Sequence, residues 1–144
     1  MRVTDLLNLH RVFLDTAPVI YFIEKNPLYA PKLLPVFNRL DEGDVIAGVS
    51  PITLAECLVI PYKLGKPEIV QVFSDLMVNS PSVRFFPLDE IIADKAAELR
   101  ARYNLTLTDA FQVAVAVQSE CEAFLTNDSD LKRVTELPII IVKE

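Results

Sequence analysis

The chain has 144 residues, 51% of them hydrophobic, with ten prolines, three glycines and a formal net charge of −6. That is the usual size of one domain, long enough to bury a core, so a single domain over residues 1–144 is expected. The composition excludes a low-complexity chain. No run approaches the roughly 18 apolar residues of a membrane span, and no repeat recurs at solenoid periods.

The opening MRVTDLLNLH carries Asp5 and no long apolar core, unlike a secretory signal. Cys57 and Cys121 form no close pair and lie in apolar helical contexts, as expected of buried thiols in a reducing cytoplasm. The acidic balance fits poorly with a nucleic-acid binder, which normally offers a basic face. It fits better if carboxylates hold metal, since two divalent ions would bring the charge to about −2. Acidity that only keeps the protein soluble is equally compatible with the number.

Short apolar runs rich in β-branched or aromatic residues predict strands at 12–14, 45–49, 83–86, 123–126 and 139–142. After the first come two helical segments, APVIYFIEKN and PKLLPVFNRLDEG. Pro31 suits a first turn and Gly43 a stop, and Pro35 argues against a start much before Pro31. SPITLAECLVIPYKLG follows the second strand, with Ser50 as N-cap and Pro51 as first helical residue. KPEIVQVFSDLMVN makes another helix. DEIIADKAAELRARYN follows the third strand, with Asp89 as cap, and TLTDAFQVAVAVQSE leads to the fourth. DSDLKRVTEL joins the last two strands. Alternating strands and helices predict an α/β fold with a mainly parallel sheet, its strands covered on both faces. The segment before the fourth strand (Ala110, Phe111, Val113, Ala114, Val115, Ala116, Val117) is apolar almost all round, so it is expected to be buried.

In a parallel sheet built from right-handed crossovers, strand C-termini and helix N-termini share one edge, and ligands bind there. Asp15 closes the first strand. Glu56 lies in the second turn of the Ser50-Pro51 helix, and Asp109 opens the helix before the fourth strand. Asp128 follows that strand, with Asp130 two residues on. Each has an innocent role. Asp15 alone reads best as a helix cap, and one of Asp128 and Asp130 caps the short helix after them. Asp109 can complete a capping box with Thr106. Glu56 is harder to excuse, because its helical neighbours Ile52, Thr53, Val59 and Ile60 offer no basic partner. Together, carboxylates crowded at one edge must take up protons unless a cation sits among them. Oxygen-only ligands select hard ions such as Mg²⁺ or Mn²⁺. The single histidine, His10, makes no zinc set. There is no P-loop, GxGxxG or GxSxG, and Ser50 and Ser129 lack a histidine base.

Four pieces, FLDTAPVIYFIE, SPITLAECL, LTLTDAFQVAVA and FLTNDSDL, resemble in order and spacing the PIN domain, a nuclease fold that includes the VapC-type toxins of toxin–antitoxin pairs. The resemblance covers almost the whole chain. It implies a three-layer α/β/α sandwich around a five-stranded sheet, a metal-dependent endoribonuclease and a homodimer. It maps the family's acids onto Asp15, Glu56, Asp109 and Asp128. Thr16 and Thr126 match supporting hydroxyls, and Asp130 is a further ligand-supporting acid or only a cap. On this resemblance Asp15, Asp109 and Asp128 hold an Mg²⁺ or Mn²⁺ ion, and Glu56 helps bind it or orients the attacking water. Such an ion polarises a phosphate oxygen and lowers the pKa of a bound water. RNA is the implied substrate, with 5′-phosphate and 3′-hydroxyl products, and a separate antitoxin chain is the implied partner. Lys25, Lys63, Lys66, Lys132 and Arg133 could hold phosphates, although loop lysines are more often solvated surface.

Three alternatives remain at this stage. A phosphoacceptor receiver domain wants adjacent acids after the first strand, where Asp15 stands alone. A haloacid-dehalogenase phosphatase wants a second Asp that LDTAP lacks. The third is a PIN-like interaction module without catalysis, against which stand all four matching acids.

Overall fold

The computed structural model describes residues 2–144. Five strands form one sheet: β1 (Arg11–Leu14), β2 (Ile46–Val49), β3 (Val83–Phe85), β4 (Ala123–Thr126) and β5 (Ile139–Ile141). Their order is β3-β2-β1-β4-β5 and every pairing is parallel, so the sheet is parallel throughout rather than mainly so. The chain first steps outward from β1 to β2 and β3, then crosses back to place β4 on the other side of β1. The order therefore reverses between β1 and β4, the switch point at which open α/β sheets form a crevice beyond the strand C-termini.

Six α-helices connect the strands: α1 (Thr16–Ile23), α2 (Ala30–Glu42), α3 (Pro51–Lys63), α4 (Pro67–Ser74), α5 (Glu90–Tyr103) and α6 (Leu107–Gln118). Their ends follow the sequence signals. Ser50 accepts the N–H of Ile52 and forms a capping box with Thr53, while Asp89 accepts the N–H of Ile92. Gly43 ends α2 at φ 79°, a left-handed value that costs glycine little. Pro35 lies inside α2, where it removes one backbone donor from the ladder without ending the helix. The expected helix 66–79 is not uniform. After Ser74 it continues as a π-helical turn, Asp75–Asn79. A 3₁₀ turn at Val3–Asn8 precedes β1, with no periodic signal in the sequence to announce it.

Alternation along the strands divides the core into two layers. Val12 and Leu14, Ala47 and Val49, Ala123 and Leu125 share one apolar cluster with Val19, Leu33, Phe37, Cys57, Phe73 and Met77. Phe13 and Phe124 point the other way, into a cluster with Ile92, Leu99, Ala110, Val113 and Leu131. Their rings stack at 5.2 Å across β1 and β4. Helices α1 to α4 thus cover one face and α5 and α6 the other, giving the expected three-layer sandwich. Coverage on both faces fails only at the sheet edge, where Arg84 and Phe85 of β3 are exposed. The apolar stretch of α6 is buried as expected. Among the described residues no helix is long and apolar enough to cross a membrane.

Candidate functional site

Leu14 is the last residue of β1, and Asp15 turns the chain from sheet into helix. Its extended backbone and short side chain make it the N-cap of α1, accepting the N–H of Thr16 at 2.9 Å. The cap is only half of its role. The second carboxylate oxygen accepts the hydroxyl of Thr126, the last residue of β4, at 2.8 Å. Thr126 is 1% exposed, and its oxygen also accepts the N–H of Asp128 at 3.1 Å. One buried hydroxyl therefore ties the acid after β1 to the loop after β4, across the crevice.

Thr16 makes the matching connection on the other side. Its hydroxyl donates to Glu56 Oε1 at 2.7 Å. Glu56 is thereby turned toward the site from the second turn of α3. Asp109 lies in the first turn of α6, its N–H capped by Thr106 at 3.2 Å. Asp128 caps the 3₁₀ turn Ser129–Arg133 by accepting the N–H of Asp130 at 2.9 Å. The innocent and the functional explanations are thus compatible, because the capping bond engages one carboxylate oxygen of Asp15 and of Asp128 and does not commit the other to the helix end.

The electrostatics join these acids into one set. Burial pushes the Asp15 carboxyl up to about 6; the Thr126 hydroxyl and the Thr16 N–H oppose the shift, while the charges of Asp109 and Glu56 add to it. Asp109 is raised too, first by burial, against the Thr106 hydroxyl, and further by Asp128, Glu56 and Asp130. Asp109 thus feels charge from the Glu56 side and from the Asp128 side, and none of Asp15, Glu56, Asp109 and Asp128 is in an ion pair among the described residues. Asp130, whose charge also reaches Asp109, lies on the rim. Its side chain is 81% exposed, and Arg133 is 4.0 Å away.

The chemistry of this donor set suits a hard divalent ion: carboxylate and hydroxyl oxygens, excess negative charge and no resident cation. Cys57, next to Glu56, is no competing thiolate, since burial and then the neighbouring acids push it up to about 12. Among the described residues, however, no three acidic, histidine or cysteine side chains already stand close enough to grip an ion.

Sequence reading passed over one part of this region. Gln112 of α6 is 1% exposed and bridges to Ser50 and Thr53 of α3. The signal was present as an amide inside an apolar run, between Phe111 and Val113.

An all-parallel five-stranded sheet with helices on both faces, its order reversing between β1 and β4, defines the class as a doubly wound α/β/α sandwich. A sequence profile of the PIN domain matches residues 12–137. The chain belongs to the PIN domain family. Solved structures agree in fold. A chain of the DNA-bound VapBC from Salmonella typhimurium superposes with a TM-score of 0.71 at 18% identity, covering 91% of this chain and 97% of that one. VapBC2 from Rickettsia felis, bound to a DNA fragment from its promoter, gives 0.69 at 19% identity, covering 90% and 96%. The sarcin–ricin loop cleaving toxin VapC20 of Mycobacterium tuberculosis gives 0.67 at 16% identity, covering 88% and 98%. No curated protein sequence matches the chain. Family membership removes the receiver-domain alternative, in line with Asp89 being a plain helix cap.

Proposed function

We propose that this chain is a divalent-metal-dependent endoribonuclease and the toxin of a toxin–antitoxin pair. The PIN domain is generally a nuclease fold, and the neighbours named above include a sarcin–ricin loop cleaving toxin and VapBC assemblies. The observation that carries the proposal is the hydroxyl wiring at the crevice, Thr126 to Asp15 and Thr16 to Glu56, among carboxylates with no basic partner. Such wiring sets acids in place at a cost in mutual repulsion that a structural role does not require.

Asp15, Asp109 and Asp128 would hold Mg²⁺ or Mn²⁺, and Glu56 would help bind it or orient the attacking water. A bound ion supplies positive charge to the phosphodiester and a more acidic water. The chain's own part is to fix the carboxylates: Thr126 orients Asp15, and Thr16 keeps Glu56 aimed inward. Asp130, on the rim, serves as a support, since the cap of the 3₁₀ turn is Asp128. The protein partner is a cognate antitoxin, and the working assembly is a homodimer.

A catalytically silent interaction module is the second reading. It draws on the fact that no three of these side chains stand at ion-gripping distance. One experiment separates the two: RNA cleavage with Mg²⁺, with Mn²⁺ and with chelator, beside calorimetric metal titration of wild type and Glu56→Gln. Cleavage that chelator abolishes and Asp15→Asn lacks supports the nuclease. A protein that neither takes up metal nor cuts RNA leaves the silent module.

A further inference from the structure

Helix α6 is apolar through Ala110, Val113, Ala114, Val115 and Ala116, all at 1% exposure or less, yet Gln112 is buried among them. A buried amide is costly unless its hydrogen bonds are made. Here they are made, and both go to one place. Gln112 Nε2 donates to Thr53 Oγ1 at 2.8 Å, and Gln112 Oε1 accepts the hydroxyl of Ser50. The receiving groups are themselves engaged. Thr53 Oγ1 also accepts the N–H of Ser50 at 3.2 Å, and Ser50 Oγ accepts the N–H of Ile52 at 3.1 Å. Among the described residues no buried side-chain polar atom is left without a partner. A leucine of similar size would fill this space without desolvating an amide. What the amide adds is direction, because its two ends must meet a fixed donor and a fixed acceptor.

The position of this bridge gives it a further consequence. Helices α3 and α6 lie on opposite faces of the sheet. Cys57 of α3 packs in one apolar cluster and Ala110 and Val113 of α6 in the other. Thr53 precedes Glu56 by three residues, and Gln112 follows Asp109 by three, so each bridge residue lies one helical turn from an acid on the same side of its helix.

We propose that Gln112 is a positioning residue, whose bridge to Thr53 and Ser50 fixes Glu56 against Asp109 and so sets how tightly the acidic crevice holds a divalent ion. The proposal rests on the metal-site reading above. Gln112 touches neither ion nor substrate. It acts through the helices that carry the two acids.

The test is Mn²⁺ titration of the full chain by calorimetry, with free Mn²⁺ followed by electron paramagnetic resonance, well below each variant's thermal midpoint. Gln112→Leu is expected to bind Mn²⁺ about tenfold more weakly, as expected for groups that orient metal ligands. A Thr53 pair gives a readout that packing alone does not move. Thr53→Val keeps the shape and loses the hydroxyl; Thr53→Ser keeps the hydroxyl and loses a methyl. Thr53→Val should weaken Mn²⁺ binding, whereas Thr53→Ser should bind like wild type even with a lower thermal midpoint. If Gln112→Leu does not fold, the Thr53 pair decides alone. Wild-type Mn²⁺ affinity in the folded Gln112→Leu and Thr53→Val variants overturns the proposal. So does Thr53→Ser binding more weakly than Thr53→Val. Wild-type protein that takes up no Mn²⁺ overturns the metal-site reading as well, so the two failures are distinguishable.

Discussion

Thr16 donates its hydroxyl to Glu56 at 2.7 Å, joining the first residue of α1 to the second turn of α3 across 40 positions of sequence. Glu56 has no basic neighbour to hold it, so this hydroxyl is its anchor. Removing the hydroxyl with Thr16→Val should lower turnover about tenfold, in the range for groups that orient a site acid. Glu56→Gln should cost more. The double variant should be no worse than Glu56→Gln alone, because residues acting as one unit are not additive. Turnover of an RNA substrate at saturating Mn²⁺ measures this, and fully additive losses would show that Thr16 acts independently of Glu56.

Asp15→Asn separates charge from architecture. Asparagine is as good an N-cap as aspartate and can still accept the Thr16 N–H, so the fold should stand. Cleavage should fall by about a hundredfold or more, the size typical of losing one preorganised electrostatic contributor. Circular dichroism and a cleavage assay on the same preparation check both halves.

The same residue predicts an unusual pH dependence. The folded-state pKa of Asp15 is raised to about 6, above its ordinary value of 3.8, chiefly by burial. The folded protein therefore holds this proton more tightly than the unfolded chain does. Its contribution to stability is fully present below about pH 4 and is lost as pH rises toward 6. Allowing for partial solvent contact, the loss is on the order of 2 kcal/mol. Urea unfolding in chelator from pH 4 to 7 should show this component, and Asp15→Asn should remove it. Added Mn²⁺ should restore stability at pH 7, because an ion bound only by the folded state shifts the balance toward it.

Gly48 in the middle of β2 gives a prediction about the scaffold. A Cβ placed there would meet a ring carbon of Phe86 at 3.0 Å, one of Phe13 at 3.3 Å and the sulfur of Cys121 at 3.4 Å. Two of these neighbours are buried, so little can give way. Gly48→Ala should destabilise by about 1–3 kcal/mol through overpacking, read from the urea midpoint. A neutral result would mean that the Phe86 ring, at the sheet's partly exposed edge, swings clear.

Much of the fold was legible because it rests on local signals. Gly43, Ser50-Pro51 and Asp89 mark helix ends by backbone chemistry that acts within a few residues, and the structure places the ends there. The five apolar runs were recognisable as strands because burial on both faces demands continuous apolarity. The π-helical turn after Ser74 and the 3₁₀ turn near the start were not legible, since they depend on how a chain segment meets its neighbours rather than on periodicity. Among the acids, Asp15 and Asp128 could be placed near one edge from topology alone. Asp130 could not be sorted from them by sequence, and its exposure on the rim is a matter of how the 3₁₀ turn faces.

By itself, then, the sequence determined the alternation of elements, their caps and the end of the sheet to which four acids are sent, because each is written in short-range sterics and apolar patterning. Only the folded chain decided which atoms meet: Thr126 with Asp15, Thr16 with Glu56, and Gln112 with Ser50 and Thr53. Those pairs lie 40 to 111 residues apart. Their bonds form only when the folded chain brings the ends of β1 and β4 and the starts of α1, α3 and α6 to one edge, a geometry that no local stretch encodes.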